Sequence, residues 1–217
     1  MRVRIKICGI TDPITAVAAS DAGVDAVGFV FHTPSPRNLE PDTAADLARH
    51  VSPLVTRVAV FCRPGSREII EVASWFHPHV IQVEPTADVV AAIPDGVAVL
   101  PVFHEGPHLE DEVAAVVGRT GAAPTIVLEA AGTGGRGRTP DWDRAAKLAK
   151  STNLVLAGGL SPDNAADAIR TVRPWGVDVS SGVESSSGIK DPKLIVAFVA
   201  AVREAEREMS ASMEVSQ

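Results

Sequence analysis

Eight short apolar, β-branched runs, each followed by a helix-like stretch, constrain this chain more than any other feature. They are "VRIKIC" (3–8), "DAVGFVF" (25–31), "TRVAVFC" (56–62), "VIQVE" (80–84), "VAVLPV" (97–102), "TIVLE" (125–129), "NLVLAG" (153–158) and "GVDVSS" (176–181). Each has the length of a parallel strand buried on both faces. The stretches between them open with helix-start signals. Asp12-Pro13 offers an N-cap followed by proline at the first helical position. Pro41-Asp42, Ser66 and Ser161-Pro162 mark further starts. In the last stretch, 191–208, Ile195, Phe198, Val199 and Val202 fall on one helical face. Strand then helix, eight times over, predicts an α/β protein with a single (β/α)8 TIM barrel over residues 1–208. The alternative is a doubly wound open sheet, which usually has fewer strands and would leave an edge exposed. Residues 209–217, "MSASMEVSQ", read as a flexible C-terminal tail.

The 217 residues suit one barrel, and 46% of them are apolar, enough for a full core. A formal charge of −7 with no basic run argues against a nucleic-acid partner. No apolar stretch is long enough to span a membrane, and "MRVRIKICGI" lacks the pattern of a secretion signal. Cys8 and Cys62, the only cysteines, are expected to be free thiols in a reducing cytoplasm. Cys62, closing the third run, reads as a core thiol. His77-Pro78-His79 lacks an evident third ligand, and no metal is expected.

Active sites in such barrels form where the strands end. Those ends carry Cys8-Gly9, Arg37 in "HTPSPRN", Glu84-Pro85, Glu129, Gly158-Gly159 and Ser180-Ser181-Gly182. Barrels often bind phosphate between the loops after strands seven and eight, where glycines let backbone N–H groups approach the anion. "AGGLSPDN" and "VSSGVESSSG" occupy those two places, and the second surrounds a lone Glu184 with small residues. Tight strand-to-helix turns would be the plainer use of either. "GTGGRGRT" (132–139) matches G-x-G-x-x-G and nearly matches G-x-x-x-x-G-K-[ST]. The first pattern lacks an acid at the end of the next strand, and Arg138 replaces the lysine of the second. A glycine loop that closes over a substrate fits better than a nucleotide site.

Five segments together resemble the phosphoribosylanthranilate isomerase family of tryptophan biosynthesis: "KICGIT" (6–11), "GFVFHTPSPRN" (28–38), "GGRGRTPDW" (134–142), "LAGGLSPDN" (156–164) and "VDVSSGVESSSGIKD" (177–191). The resemblance implies a (β/α)8 barrel. It further implies a cofactor-free Amadori rearrangement of N-(5-phosphoribosyl)anthranilate to 1-(2-carboxyphenylamino)-1-deoxyribulose 5-phosphate. That chemistry needs a general acid for the ring oxygen and a general base for the C2 proton. The resemblance assigns the base to Cys8 and places Glu129 where the family has an aspartate as acid. It assigns Arg37 to the anthranilate carboxylate, and Gly135, Gly158, Gly159, Ser181 and Gly182 to the phosphate. The expected partner is a phosphorylated small molecule, bound by a monomer or homodimer.

Two positions depart from the family's pattern. Glu129 carries one methylene more than aspartate, and Glu84 stands where a histidine is usual, so that Glu84 is expected at the substrate's aromatic end. They leave open a diverged enzyme on another phosphorylated aminosugar, or a barrel that binds phosphosugar without turnover. Lys6, two residues before Cys8, projects the same way along its strand. If that way is inward, its ammonium needs a partner, and Asp178 is the candidate.

Overall fold

A computed structural model describes residues 2–120, 123–131 and 139–214. Eight parallel strands close into a barrel in sequential order, β1 to β8. They are β1 (Arg4–Cys8), β2 (Ala26–Phe31), β3 (Thr56–Phe61), β4 (Val80–Val83), β5 (Ala98–His104), β6 (Thr125–Glu129), β7 (Asn153–Ala157) and β8 (Gly176–Val179). Helices follow each: α1 (Pro13–Asp21), α2 (Pro41–Ala48), α3 (Ser66–Phe76), α4 (Ala87–Ala91), α5 (Leu109–Thr120), α6 (Trp142–Leu148), α7 (Ala165–Val172) and α8 (Pro192–Glu214). The barrel seam is made by β1 and β8, with Lys6 opposite Asp178.

The strands alternate between two cores. Ile5 and Ile7 of β1, Ile126 and Leu128 of β6, and Val177 and Val179 of β8 pack outward beneath the helices. Val102, Val127, Val155 and Ala157 form a separate cluster inside the barrel. Successive side chains on a strand point to opposite faces, so the outward set fixes which residues point in. Lys6, Cys8, Gln82, Glu84, His104, Glu129 and Asp178 all fall on the inward register. The strand ends therefore converge polar groups on one mouth.

Local chemistry holds the helices in place. Asp12 caps α1 by accepting a hydrogen bond from Thr15 N at 2.9 Å. Two residues past the end of β8, the chain makes a 3₁₀ turn (Ser181–Val183) and then a small hairpin, β9 (Glu184–Ser186) with β10 (Ile189–Lys190). Helix α8 runs on to Glu214, so residues 209–214 are helical where the sequence pattern gives a tail. Met209 packs against the outer core, which gives the extra turns something to bury. β5 likewise extends two residues past Val102, to His104.

Candidate active site

Cys8 ends β1 beside Gly28 of β2, and the register sets the two residues opposite each other. A Cβ on Gly28 would lie 3.0 Å from the Cys8 sulfur, so the absent side chain makes room for the thiol. Lys6 and Asp178 lie deeper in the barrel. Lys6 Nζ donates to Asp178 Oδ2 at 2.6 Å, as expected from their spacing, and the two side chains are 5% and 4% exposed. Burial works against the Lys6 charge, but Asp178 and then Cys8 outweigh it and hold the ammonium up at about 12. Burial pushes the Cys8 thiol up as well, opposed chiefly by Lys6 and further by Lys190.

Glu129 ends β6, facing His104 across the β5–β6 ladder. It is half-buried within the mouth rather than directed into solvent. Burial, followed by the charge of Asp178, pushes its carboxyl up, against the pull of His104 and Lys6. A carboxyl with a raised pKa holds its proton closer to neutrality, which is what a general acid requires.

Glu84 Oε1 lies 3.3 Å from His104 Nε2, and its Oε2 lies 3.5 Å from Arg63 Nε. Its charge is thus already partnered. A cleft of about 600 Å³ opens here, with Glu84, Pro85, Phe103 and His104 among its walls. His104 Nδ1 is buried without a hydrogen-bond partner among the described residues. Cys62, expected in the core, is instead half-buried at this mouth, because Ala59 and Phe61 take the outward register of β3 and turn Cys62 inward. Its thiol is pushed up by burial and then by Glu84.

Arg37 is buried, 8% exposed, in the loop after β2. Its Nε and Nη2 donate to the two carboxylate oxygens of Glu184 at 2.6 and 2.7 Å. Lys190 Nζ also donates to Glu184. It donates further to Ser180 O at 3.2 Å, while the Ser180 hydroxyl donates to Cys8 O at 3.0 Å. Sequence spacing does not reveal this network.

The turns after β7 and β8 touch each other. Gly158 and Gly159 take φ of 90° and 62°, in the left-handed region that other residues rarely adopt. A Cβ on Gly182 would lie 1.9 Å from Leu160 O. The two loops therefore pack backbone to backbone, with Ser181 and Gly182 in the 3₁₀ turn between them. Gly135 and Arg138 lie outside the described residues.

The family model described as N-(5'phosphoribosyl)anthranilate (PRA) isomerase matches residues 5–201. The chain belongs to the phosphoribosylanthranilate isomerase family. N-(5'-phosphoribosyl)anthranilate isomerase of Chlorobaculum parvum is 39% identical, across 96% of this chain and 99% of its own. The Myxococcus xanthus protein of the same name is 43% identical, across 94% and 97%. The crystal structure of phosphoribosyl anthranilate isomerase from Thermotoga maritima superposes with a TM-score of 0.81 at 32% identity, covering 94% of this chain and 100% of that one. A phosphoribosyl anthranilate isomerase solved with reduced 1-(o-carboxyphenylamino)-1-deoxyribulose 5-phosphate gives 0.79 at 32% identity, with the same coverage of both chains. Within this family fold, the mouth gathers Cys8, Glu129, Glu84 and Arg37. His104 and Arg63 join them as groups that the motifs leave out, and Lys190 as a motif residue whose partners its spacing does not reveal.

Proposed function

We infer that this protein isomerises N-(5-phosphoribosyl)anthranilate to 1-(2-carboxyphenylamino)-1-deoxyribulose 5-phosphate, a step of tryptophan biosynthesis. The observation that carries the reading is the convergence of Cys8 and Glu129 on one barrel mouth, both on the inward register of their strands and close enough for the Glu129 charge to act on the thiol. Glu129, its carboxyl pushed up by burial, donates to the ribose ring oxygen. The C1–O bond breaks, and the nitrogen lone pair forms the C1=N iminium. Cys8, as thiolate, removes the C2 proton. The C–H electrons become the C1=C2 bond and the iminium electrons return to nitrogen, leaving a neutral enolamine. Loss of the C2 hydroxyl proton and gain of a proton at C1 give the ketose.

The charges fit this order of events. Burial disfavours the thiolate at rest, yet the iminium formed in the first step places a cation beside Cys8 when the base is needed. Lys6 and Lys190 add to that effect. The turns after β7 and β8 offer close backbone approach to the substrate phosphate through Gly158, Gly159, Ser181 and Gly182. The Arg63 guanidinium, 3.5 Å from Glu84, offsets part of the repulsion between that carboxylate and an anionic aromatic ring. Each step is an acid-assisted ring opening, a proton transfer or a tautomerisation, which side chains acting as acid and base can promote.

The test is a steady-state assay. Phosphoribosylanthranilate fluorescence falls as the ring opens and rearranges. Purified, folded protein is expected to abolish that signal catalytically and to form the ketose. A folded protein that leaves the signal unchanged overturns the inference.

A further inference from the structure

We propose that Glu184 is a positioning residue for Arg37, and that the hairpin carrying it is a strap that aims one guanidinium edge at a substrate carboxylate. The proposal rests on the isomerase reading for the identity of that carboxylate. It draws on how Arg37 is held, which the substrate chemistry does not require.

A guanidinium has two edges that can grip a carboxylate bidentately. Glu184 occupies the Nε/Nη2 edge, at 2.6 and 2.7 Å. The end-on edge carrying Nη1 then remains for a second carboxylate. Three further contacts fix the direction in which that edge points. The arginine stem crosses Gly9, where a Cβ would meet Arg37 Cδ at 2.5 Å. Glu184 Oε2 accepts from Gly188 N at 3.1 Å, closing the hairpin on itself. Gly188, at φ +82°, packs so tightly under the loop after β2 that a Cβ would lie 2.7 Å from Pro36 O.

Charge balance decides what the strap can accept. Glu184 is one anion between two cations, Arg37 and Lys190, and all three side chains are nearly excluded from water. The cluster therefore keeps one net positive charge. A buried cationic excess is costly unless an anion joins it. A ligand carboxylate on the free edge of Arg37 would complete it. Without Glu184, the same arginine would be free to swing, and two cations would repel each other.

The experiment compares two ligands that differ only in that carboxylate: reduced 1-(2-carboxyphenylamino)-1-deoxyribulose 5-phosphate and its phenylamino counterpart. Titration calorimetry gives both Kd values for wild type, Glu184→Gln and Gly188→Ala. The first variant keeps the side-chain length but loses the charge. The second lifts the strap away from Arg37 without changing the identity of Arg37, Glu184 or Lys190. In wild type the carboxylated ligand is expected to bind at least about tenfold more tightly, as for a desolvated charge-assisted pair. In both variants that preference is expected to shrink by about tenfold. The loss should appear mainly in KM when turnover is measured. Equal weakening of both ligands would overturn the proposal, because a merely structural role cannot tell them apart. A wild type that binds both equally overturns it too, while continued turnover leaves the isomerase reading standing. Conversely, carboxylate preference without turnover sinks that reading and keeps the strap.

Discussion

Removing the Lys6 ammonium while leaving Asp178 tests the inner barrel most sharply. Lys6→Met keeps the stem and deletes the charge. Asp178 would then be a carboxylate only 4% exposed, with its cation gone and with Oδ1 already lacking a partner among the described residues. Breaking a buried pair in this way costs about 3–5 kcal/mol, whereas an exposed bridge is worth about 0–1. For a domain of this size each kcal/mol moves Tm by roughly 2–4 °C, so a fall of roughly 6–20 °C is expected. Adding Asp178→Val to Lys6→Met should restore most of that loss, since an apolar pair of similar volume replaces a buried ion pair at little cost. Thermal denaturation by circular dichroism, read for both variants, measures the cycle. The pH dependence has a definite sign. Lys6 is raised from 10.5 to about 12, so its contribution is complete below 10.5 and fades as pH climbs through about 12. A single variant within about 1 kcal/mol of wild type, or a double variant no better than the single, would refute the buried-pair argument.

Other outcomes follow from the same geometry. Because burial raises the Cys8 thiol, kcat/KM should keep increasing as pH rises above neutrality, and the Lys6→Met, Asp178→Val protein should show that limb at higher pH. Glu184 titrates near 2 in the fold against 4.5 ordinarily; burial opposes that shift, and the hydrogen bonds from Arg37 and Lys190 outweigh it. Its contribution to stability is thus present above 4.5 and lost as pH falls toward 2, a loss absent from Glu184→Gln in acid-unfolding curves. Gly182→Ala should weaken binding of the phosphorylated ligand and lower Tm, since its Cβ would lie 1.9 Å from Leu160 O. Calorimetric Kd values that match wild type would contradict the account of those turns. Glu129→Gln should cost about 10²–10⁴ in kcat, the usual worth of a general acid, with ligand Kd little changed.

The barrel was legible because its signal is local and repeated. Each apolar run announces a strand by itself, and eight of them leave few ways to close a parallel sheet. Strand parity carried the inner register too, from Lys6 to Asp178. The sequence pattern falls short where a strand outlasts its apolar run. Ending β5 at Val102 hides His104, two residues on and inward by the same parity as Val102. Cys62 reads as core for a related reason: its neighbour Phe61 is the outward residue, and parity turns the thiol into the mouth. Pairings between distant loops leave no trace in spacing. Arg37 and Glu184 are 147 residues apart, so only the closed barrel brings them within bonding distance. The same holds for Arg63 with Glu84, where an exposed arginine in a short turn carries no mark of its partner.

The central claim is that one sulfur supplies the base for the C2 proton. Its most direct test is the turnover of phosphoribosylanthranilate by Cys8→Ala beside the wild type, with the Kd of the reduced product confirming an intact pocket. Ligand binding near the wild-type value and turnover reduced to background are expected. Turnover by Cys8→Ala at the wild-type rate would contradict it.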